Sequence, residues 1–307
     1  MGADENNDRY STGRRQFLKL LFGVGSTIET KPAEASRSIP GNFFWADLKS
    51  GQIGFPTGCS LPAALPGSLM KLPAAAAIRN EHLLPENTTF ECTGTITIHQ
   101  KRYNCQIAHG VLDLAQAIGH SCNVFFAQAA ESLGCATFLS YACRFGLDRA
   151  VAGFASGPFP AECRGTTQQY VLGLSEDFQP HALQILQMSA LIATRGRLPS
   201  LHSAEDPNPA YVSPVLHLKD STWELLSHGM QLSCRMGTAH ALDPGNKLHL
   251  AVKTGTAPYG KTFQSWATGY FPAESPRYAF CARAQVGTSQ TSAVPLAHQY
   301  LFATNWP

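Results

Sequence analysis

Strand-like segments lie near both ends of this 307-residue chain, whereas helix-like segments fill its middle. Residues 42–55 are typical of two short strands around a Lys-Ser-Gly turn, and three further strands are predicted over 248–256, 265–271 and 277–286. This order predicts an α+β fold, in which a five-stranded antiparallel sheet is built from both termini and flanked by helices, with an all-helical region inserted. A cleft between the sheet and the helical region is the natural place for chemistry.

The low charge of the chain excludes one class of function. Charged residues make up 14% of the sequence and the net charge is +2, so there is no electrostatic case for a nucleic-acid partner. At this length the chain can form one large domain or two small ones, either with a sizeable core.

The first residues differ in character from the rest of the chain. Arg14 and Arg15 precede a short apolar run, which lacks the roughly 20 apolar residues of a membrane-spanning helix. This pattern resembles a twin-arginine export signal, and residues 33–35 offer an Ala-x-Ala cleavage site. We therefore expect an export leader over residues 1–35 and an exported, periplasmic or extracytoplasmic protein; the alternative is a basic amphipathic stub or a degenerate leader.

Three short motifs carry the chemistry. Ser68 lies three residues before Lys71, which places both side chains on one face of a helix, where a neutral lysine can take the serine proton. Ser-Cys-Asn follows at residues 121–123, and Lys-Thr-Gly-Thr-Ala at residues 253–257 ends a predicted strand. Each motif alone is common by chance, but their order is far more specific.

With these motifs the chain resembles the penicillin-binding protein transpeptidase domain, a family within the serine penicillin-recognising superfamily. The likeness extends from residue 39 to the C-terminus and includes the segment 90–134, the long apolar helix near 182–201 and the strand 265–272 after Lys-Thr-Gly. It implies a β-lactamase/transpeptidase-like fold and a transpeptidase domain over residues 39–307.

The resemblance also implies a role for each motif residue. Ser68 would be the acylated nucleophile, Lys71 its base, and Ser121 the relay for the proton of the leaving amine. The other implied roles are these: Asn123 bonds the donor peptide and Lys71; Lys253 stabilises charge and keeps Lys71 neutral; Thr254, Gly255 and Thr256 bind the substrate; and the backbone N–H groups of Ser68 and Thr256 form the oxyanion hole.

The implied function is a serine D,D-transpeptidase that binds penicillin and cross-links peptidoglycan stem peptides through an acyl-Ser68 intermediate, without a cofactor. A D,D-carboxypeptidase or a non-catalytic penicillin-binding or muropeptide-sensing module remains open. A β-lactamase is disfavoured because no asparagine follows Glu162 closely and no Ser-x-Val replaces Ser-Cys-Asn. Since only residues 1–38 precede the domain, we expect no membrane anchor. We also expect that the protein either works with a partner, such as a glycan-polymerising or other cell-wall protein, or is a degenerate copy of the family.

Two local features leave questions that the sequence does not answer. Pro73 removes one helical N–H just after Lys71 and is expected to distort the first turns of that helix. Cys92 and Cys105 flank a short polar segment, and we assign a disulfide between them. Two alternatives are that these thiols are unpaired or that they bind zinc together with His109 and Cys122. The remaining cysteines lie in apolar runs and are expected in the core.

Overall fold

A computed structural model of the chain describes residues 41–55, 63–204 and 212–306. The predicted export leader, residues 1–35, lies outside the described residues. Residues 39–305 form one compact unit. The elements in chain order are β1 (Gly41–Asp47), β2 (Ile53–Gly54), a 3₁₀ turn (Gly67–Met70), α1 (Lys71–Asn80), β3 (Phe90–Cys92), β4 (Thr95–Ile98), β5 (Lys101–Asn104), β6 (Gly110–Leu112), α2 (Leu114–Gly119), α3 (Asn123–Leu133), α4 (Cys135–Arg144), α5 (Thr167–Val171), α6 (Ala182–Ala193), α7 (Asp220–Met236), β7 (Ala251–Tyr259), β8 (Thr262–Phe271), β9 (Tyr278–Ala284) and α8 (Val294–Ala303).

Strands from the two ends of the chain form one antiparallel sheet, in the order β2-β1-β9-β8-β7. The N-terminal strand β1 pairs along its length with β9, which brings both ends of the domain together. This confirms the predicted five-stranded sheet built from both termini. Strand β7 lies at the sheet edge, so one side of its backbone faces away from the neighbouring strand β8.

A mainly helical region inserts between β2 and β7, as predicted, but it is not all-helical, because β3 pairs with β6 and β4 pairs with β5 within it. Its central helix α1 is lined with alanines at 74–77, all fully buried, and small side chains allow neighbouring helices to approach closely. The sequence over 111–117 also predicts one short helix, and this prediction is wrong in detail, because the structure divides the segment between strand β6 and helix α2. Asp113 separates them because its carboxylate caps α2 by accepting a hydrogen bond from the backbone N–H of Gln116.

The structure pairs cysteines differently from the sequence prediction. Cys135 and Cys163 form a disulfide, which ties the start of α4 to the loop before α5. These two residues are 28 positions apart, and their pairing depends on how the loop folds back, which no local pattern reveals. Cys234 and Cys281 are buried and unpaired, as expected for core cysteines.

No helix within the described ranges has the length and apolar character required to cross a membrane.

Candidate active site

The nucleophile candidate Ser68 lies on the 3₁₀ turn that leads into α1. The turn is held against the edge strand: a Cβ added at Gly67 would lie 2.5 Å from the carbonyl oxygen of Thr256, and Gly67 has a φ of +55°. The backbone N–H of Gly67 donates to the carbonyl of Gly173 at 3.1 Å. Glycine is required here because a side chain would push Ser68 away from β7.

A buried indole holds the loop before the nucleophile. Trp266 on β8 is fully buried, and its Nε1–H donates to the carbonyl of Leu65 at 3.0 Å. From its place on the strand beside Lys253, the sequence allows Trp266 either to pack in the core or to line the cleft. In the structure it packs in the core, and its hydrogen bond also fixes the loop that leads to Ser68. Strand position alone does not reveal that second contact.

Lys71 is fully buried and its Nζ lies 3.0 Å from the Oγ of Ser68. The same nitrogen donates to the carbonyl oxygen of Ser121 and to Oδ1 of Asn123, both at 2.6 Å. A neutral amine has two N–H donors and one lone pair. If the two donors serve Ser121 and Asn123, the lone pair is directed at Ser68, which is the geometry that a general base needs.

Pro73 was expected to distort the first turns of α1, but its position in the helix explains how it is accommodated. It occupies the third position of α1, within the first turn, where backbone N–H groups have no partner inside the helix. The helix therefore loses no hydrogen bond to this proline, and Lys71 keeps its contact with Ser68.

The loop at residues 121–123 meets both buried lysines. Ser121 has a φ of +55°, a left-handed conformation that non-glycine residues adopt at a cost. Its carbonyl accepts from Lys71 while its Oγ accepts from Lys253 at 2.8 Å. The hydroxyl thus lies between two lysines and can pass a proton from one to the other.

Burial governs the charge of both lysines. Burial lowers the pKa of Lys71 to about 8. Burial, and then the positive charge of Lys71, lower the pKa of Lys253 well below its usual value. Desolvation is thus the largest cause for both lysines, and because repulsion between two adjacent ammonium groups acts on both, it opposes the state in which Lys71 and Lys253 are charged together.

The substrate-binding candidates Thr254, Gly255 and Thr256 lie on β7, facing the turn with Ser68. Gly255 approaches the loop closely, since a Cβ there would lie 2.6 Å from the carbonyl oxygen of Pro66. The hydroxyl of Thr254 donates to Thr238 at 2.6 Å. The edge strand therefore forms one wall of the cleft.

A cavity of about 350 Å³ opens between β7, the turn with Ser68 and the loop at 121–123. The sequence did not predict several of its lining residues, because they lie on other parts of the chain and belong to no recognisable motif. The lining residues outside the predicted site are Cys105, Gln106, Ile107, His109, His120, Met236, Gly237, Thr238, Ser289 and Gln290. Ser289 donates its backbone N–H to the hydroxyl of Thr256 at 3.0 Å, which orients that predicted substrate contact.

The structure does not join Cys92 and Cys105 in the disulfide assigned from the sequence. Their Sγ atoms lie 3.7 Å apart, whereas a disulfide bond is about 2.05 Å long. The Sγ of Cys105 lies equally far, 3.7 Å, from that of Cys122 and also accepts the backbone N–H of Asn123. A third thiol therefore competes for the same partner.

The family model of the penicillin binding protein transpeptidase domain matches residues 62–301, more than three quarters of the chain. Among curated proteins, none matches the sequence.

Several solved structures share the fold. Pseudomonas aeruginosa PBP2, in complex with WCK 5153, superposes with a TM-score of 0.77 at 22% identity, over 87% of this chain and 71% of its own. The D,D-transpeptidase domain of a peptidoglycan glycosyltransferase from Eggerthella lenta gives 0.70 at 19%, over 86% and 78%. Helicobacter pylori PBP2, in its complex with MreC, gives 0.72 at 21%, and this chain spans only 60% of that protein.

Proposed function

Because this chain belongs to the penicillin-binding protein transpeptidase family, we propose that it is a D,D-transpeptidase that cross-links peptidoglycan stem peptides through an acyl enzyme on Ser68. One observation carries the proposal. The fully buried Lys71 lies 3.0 Å from the Ser68 hydroxyl, and its other contacts leave a lone pair for that proton when the amine is neutral.

The first half-reaction is acylation. Neutral Lys71 takes the Ser68 proton while the serine Oγ attacks the carbonyl carbon of the penultimate D-Ala. The negative charge on the carbonyl oxygen is stabilised by the backbone N–H groups of Ser68 and Thr256, at about 3–4 kcal/mol for each donor. The C–N bond then breaks, and the departing D-Ala amine takes its proton through the Ser121 hydroxyl, which contacts both lysines.

The second half-reaction transfers the acyl group. An amine of a neighbouring stem gives up a proton along the reverse path and attacks the Ser68 ester, so an amide forms and the serine hydroxyl is regenerated. The edge position of β7 supports binding of an extended donor peptide, since an edge strand offers unpaired backbone groups to a new strand. Thr254 and Thr256 would hold the terminal carboxylate of that donor.

Hydrolysis of the acyl enzyme is not favoured by the residues around the cleft. Glu162, the candidate for activating a deacylating water in a β-lactamase, is exposed and does not line the cavity. A long-lived acyl enzyme is therefore expected with β-lactams, which imitate the donor peptide.

We further propose that the protein acts outside the cytoplasm and with a cell-wall partner. Export is supported by the arginine pair at Arg14 and Arg15 and by the disulfide between Cys135 and Cys163, because disulfides persist in oxidising compartments. A partner is supported by the structural relative from H. pylori, whose PBP2 forms a complex with MreC.

The test combines labelling with turnover. A fluorescent penicillin should label the wild type stably and should not label Ser68→Ala, whereas rapid loss of label would indicate a β-lactamase. A donor stem peptide with an added amine acceptor should then yield free D-Ala and cross-linked product. Release of D-Ala without cross-linked product would assign a carboxypeptidase, and an absence of labelling in the folded wild type would refute the catalytic proposal.

A further inference from the structure

Four side chains that can bind a metal converge beside the cleft, and the proposed reaction uses none of them. They come from four separate positions: the end of β3, the residue after β5, the residue before β6 and the residue that caps α3. Their ligand atoms all lie within 4.8 Å of one another. We name this group the Cys₃His cluster; its members are Cys92, Cys105, His109 and Cys122.

The spacing of these atoms fits a tetrahedral ion. With Zn–S bonds near 2.3 Å and Zn–N bonds near 2.05 Å, a tetrahedron requires S···S edges of about 3.8 Å and S···N edges of about 3.6 Å. The Sγ of Cys105 lies 3.7 Å from each of the other two sulfurs. The Sγ of Cys92 lies 3.4 Å from Nδ1 of His109. Thus three of the six edges of a tetrahedral zinc site already have the required length, and the other three are no longer than 4.8 Å.

Backbone N–H groups donate to two of the three sulfurs. The backbone N–H of Asn123 donates to the Sγ of Cys105 at 3.2 Å, and that of Phe125 donates to the Sγ of Cys122 at 3.3 Å. Outer hydrogen bonds of this kind orient and stabilise metal-bound ligands. Cys92 and Cys122 are buried, while Cys105 and His109 line the cleft, which provides an entry path for the ion.

We propose that the Cys₃His cluster binds one Zn²⁺ ion and thereby positions the loop at residues 121–123, which contacts Lys71 and Lys253. Binding displaces the three thiol protons, three Zn–S bonds form, and the lone pair on Nδ1 of His109 completes the tetrahedron. Three thiolates and one imidazole are a ligand set that soft-ligand sites use for zinc. The sequence assigned a disulfide to Cys92 and Cys105 and no metal to the catalytic site, with zinc as an alternative for these four residues; the proposal favours that alternative.

The ion would act on the reaction through two neighbouring contacts. Cys122 lies between Ser121 and Asn123, the two residues whose oxygens accept from Lys71. The side chain of Asn123 also donates to the carbonyl of Asn104, the residue before Cys105. Zinc would therefore fix both chain segments that orient Lys71, and this positioning role rests on the proposed function, whereas the metal binding does not.

A disulfide is the competing outcome for these thiols. Any disulfide within the cluster would use two sulfurs and leave the third thiol beside it. The two 3.7 Å separations at Cys105 are equal, so the geometry selects neither pair. A shared ion uses all three sulfurs at once.

Metal analysis of the purified full chain tests the binding. We expect about one zinc per chain, and its replacement by Co²⁺ should produce the intense near-ultraviolet absorption of sulfur-to-cobalt charge transfer. Cys105→Ser should lose most of the metal, whereas Cys143→Ser, a free and similarly half-buried cysteine outside the cluster, should retain it. If wild-type protein binds neither ion, or mass spectrometry finds a disulfide within the cluster of the active protein, the proposal is wrong; the Co²⁺ experiment stands even if Cys105→Ser fails to fold.

Acylation kinetics test the positioning role. Removing zinc from the wild type with a chelator should slow the labelling of Ser68 by penicillin at least about tenfold, and adding Zn²⁺ should restore it. Labelling that is unchanged in the metal-free protein would overturn the positioning role. Loss of all labelling in zinc-loaded protein would instead refute the proposed function, while zinc content and cobalt absorption would still report the site.

Discussion

The rate at which penicillin acylates Ser68 should rise with pH, because Lys71 can serve as its base only when the amine is neutral. Burial lowers the pKa of Lys71 to about 8. A lysine with a lowered pKa is charged below that value and neutral above it, so the rate should increase as pH rises through about 8.

The magnitude follows from the neutral fraction. With a pKa of about 8, Lys71 is about 1% neutral at pH 6, about 9% at pH 7 and about 90% at pH 9. The acylation rate should therefore increase about 90-fold between pH 6 and pH 9 and then level off. A lysine at its ordinary pKa near 10.5 would be only about 0.3% neutral at pH 8, so burial makes the base roughly 150 times more abundant there.

The assay is stopped-flow labelling with a fluorescent penicillin, followed as a second-order rate constant at each pH. Lys71→Met should lose most of the rate together with the rise near pH 8. Lys49→Met is the matched control, because Lys49 is exposed on the turn after β1 and should leave the profile unchanged.

Two results would refute the reasoning. A flat profile from about pH 6 to about pH 9 would mean that no group with this pKa limits acylation, and a rise only above about pH 10 would mean that burial does not shift Lys71. Retention of the rise in Lys71→Met would assign it to another residue.

Three further substitutions test the packing around the site. Cys135→Ser should lower the free energy of unfolding by about 3–4 kcal/mol in denaturant titrations, because the bond to Cys163 closes a loop across 28 positions; equal stability would contradict this. Gly173→Ala should slow acylation at least about tenfold, since its Cβ would lie 2.1 Å from the carbonyl oxygen of Gly67; a wild-type rate would show that the turn adapts. Trp266→Phe should cost about 1–3 kcal/mol of stability by losing its indole hydrogen bond, and an unchanged urea midpoint would count against that role.

Much of the fold followed from local pattern. The strand-like segments near both ends predicted the strands of the sheet. The sequence also predicts a helix over 123–133 that ends at Gly134, and α3 has the same bounds, Asn123–Leu133. The segment 111–117 was wrongly predicted as one helix, because a three-residue strand and a capped six-residue helix are each too short to show a period.

The pairing of distant groups could not be predicted in the same way. Three thiols compete around Cys105, while Cys163 reaches Cys135 only because its loop returns to α4. Pro73 was predicted to disturb the helix, yet its effect depends on its place in the first turn, and that place follows from where the 3₁₀ turn ends.

The amino-acid sequence by itself determined the chemical groups and their local spacing: a serine three residues before a lysine, then Ser-Cys-Asn, then Lys-Thr-Gly. Only the tertiary structure decided the state of those groups. Lys71 and Lys253 are fully buried because α1, β7 and the Ser121 loop pack around them, and that burial lowers both pKa values. Desolvation depends on every neighbour in space, whereas spacing along the chain depends only on the backbone. For this reason the sequence names a candidate base, while the fold increases the fraction of it that is neutral and able to accept a proton near neutral pH.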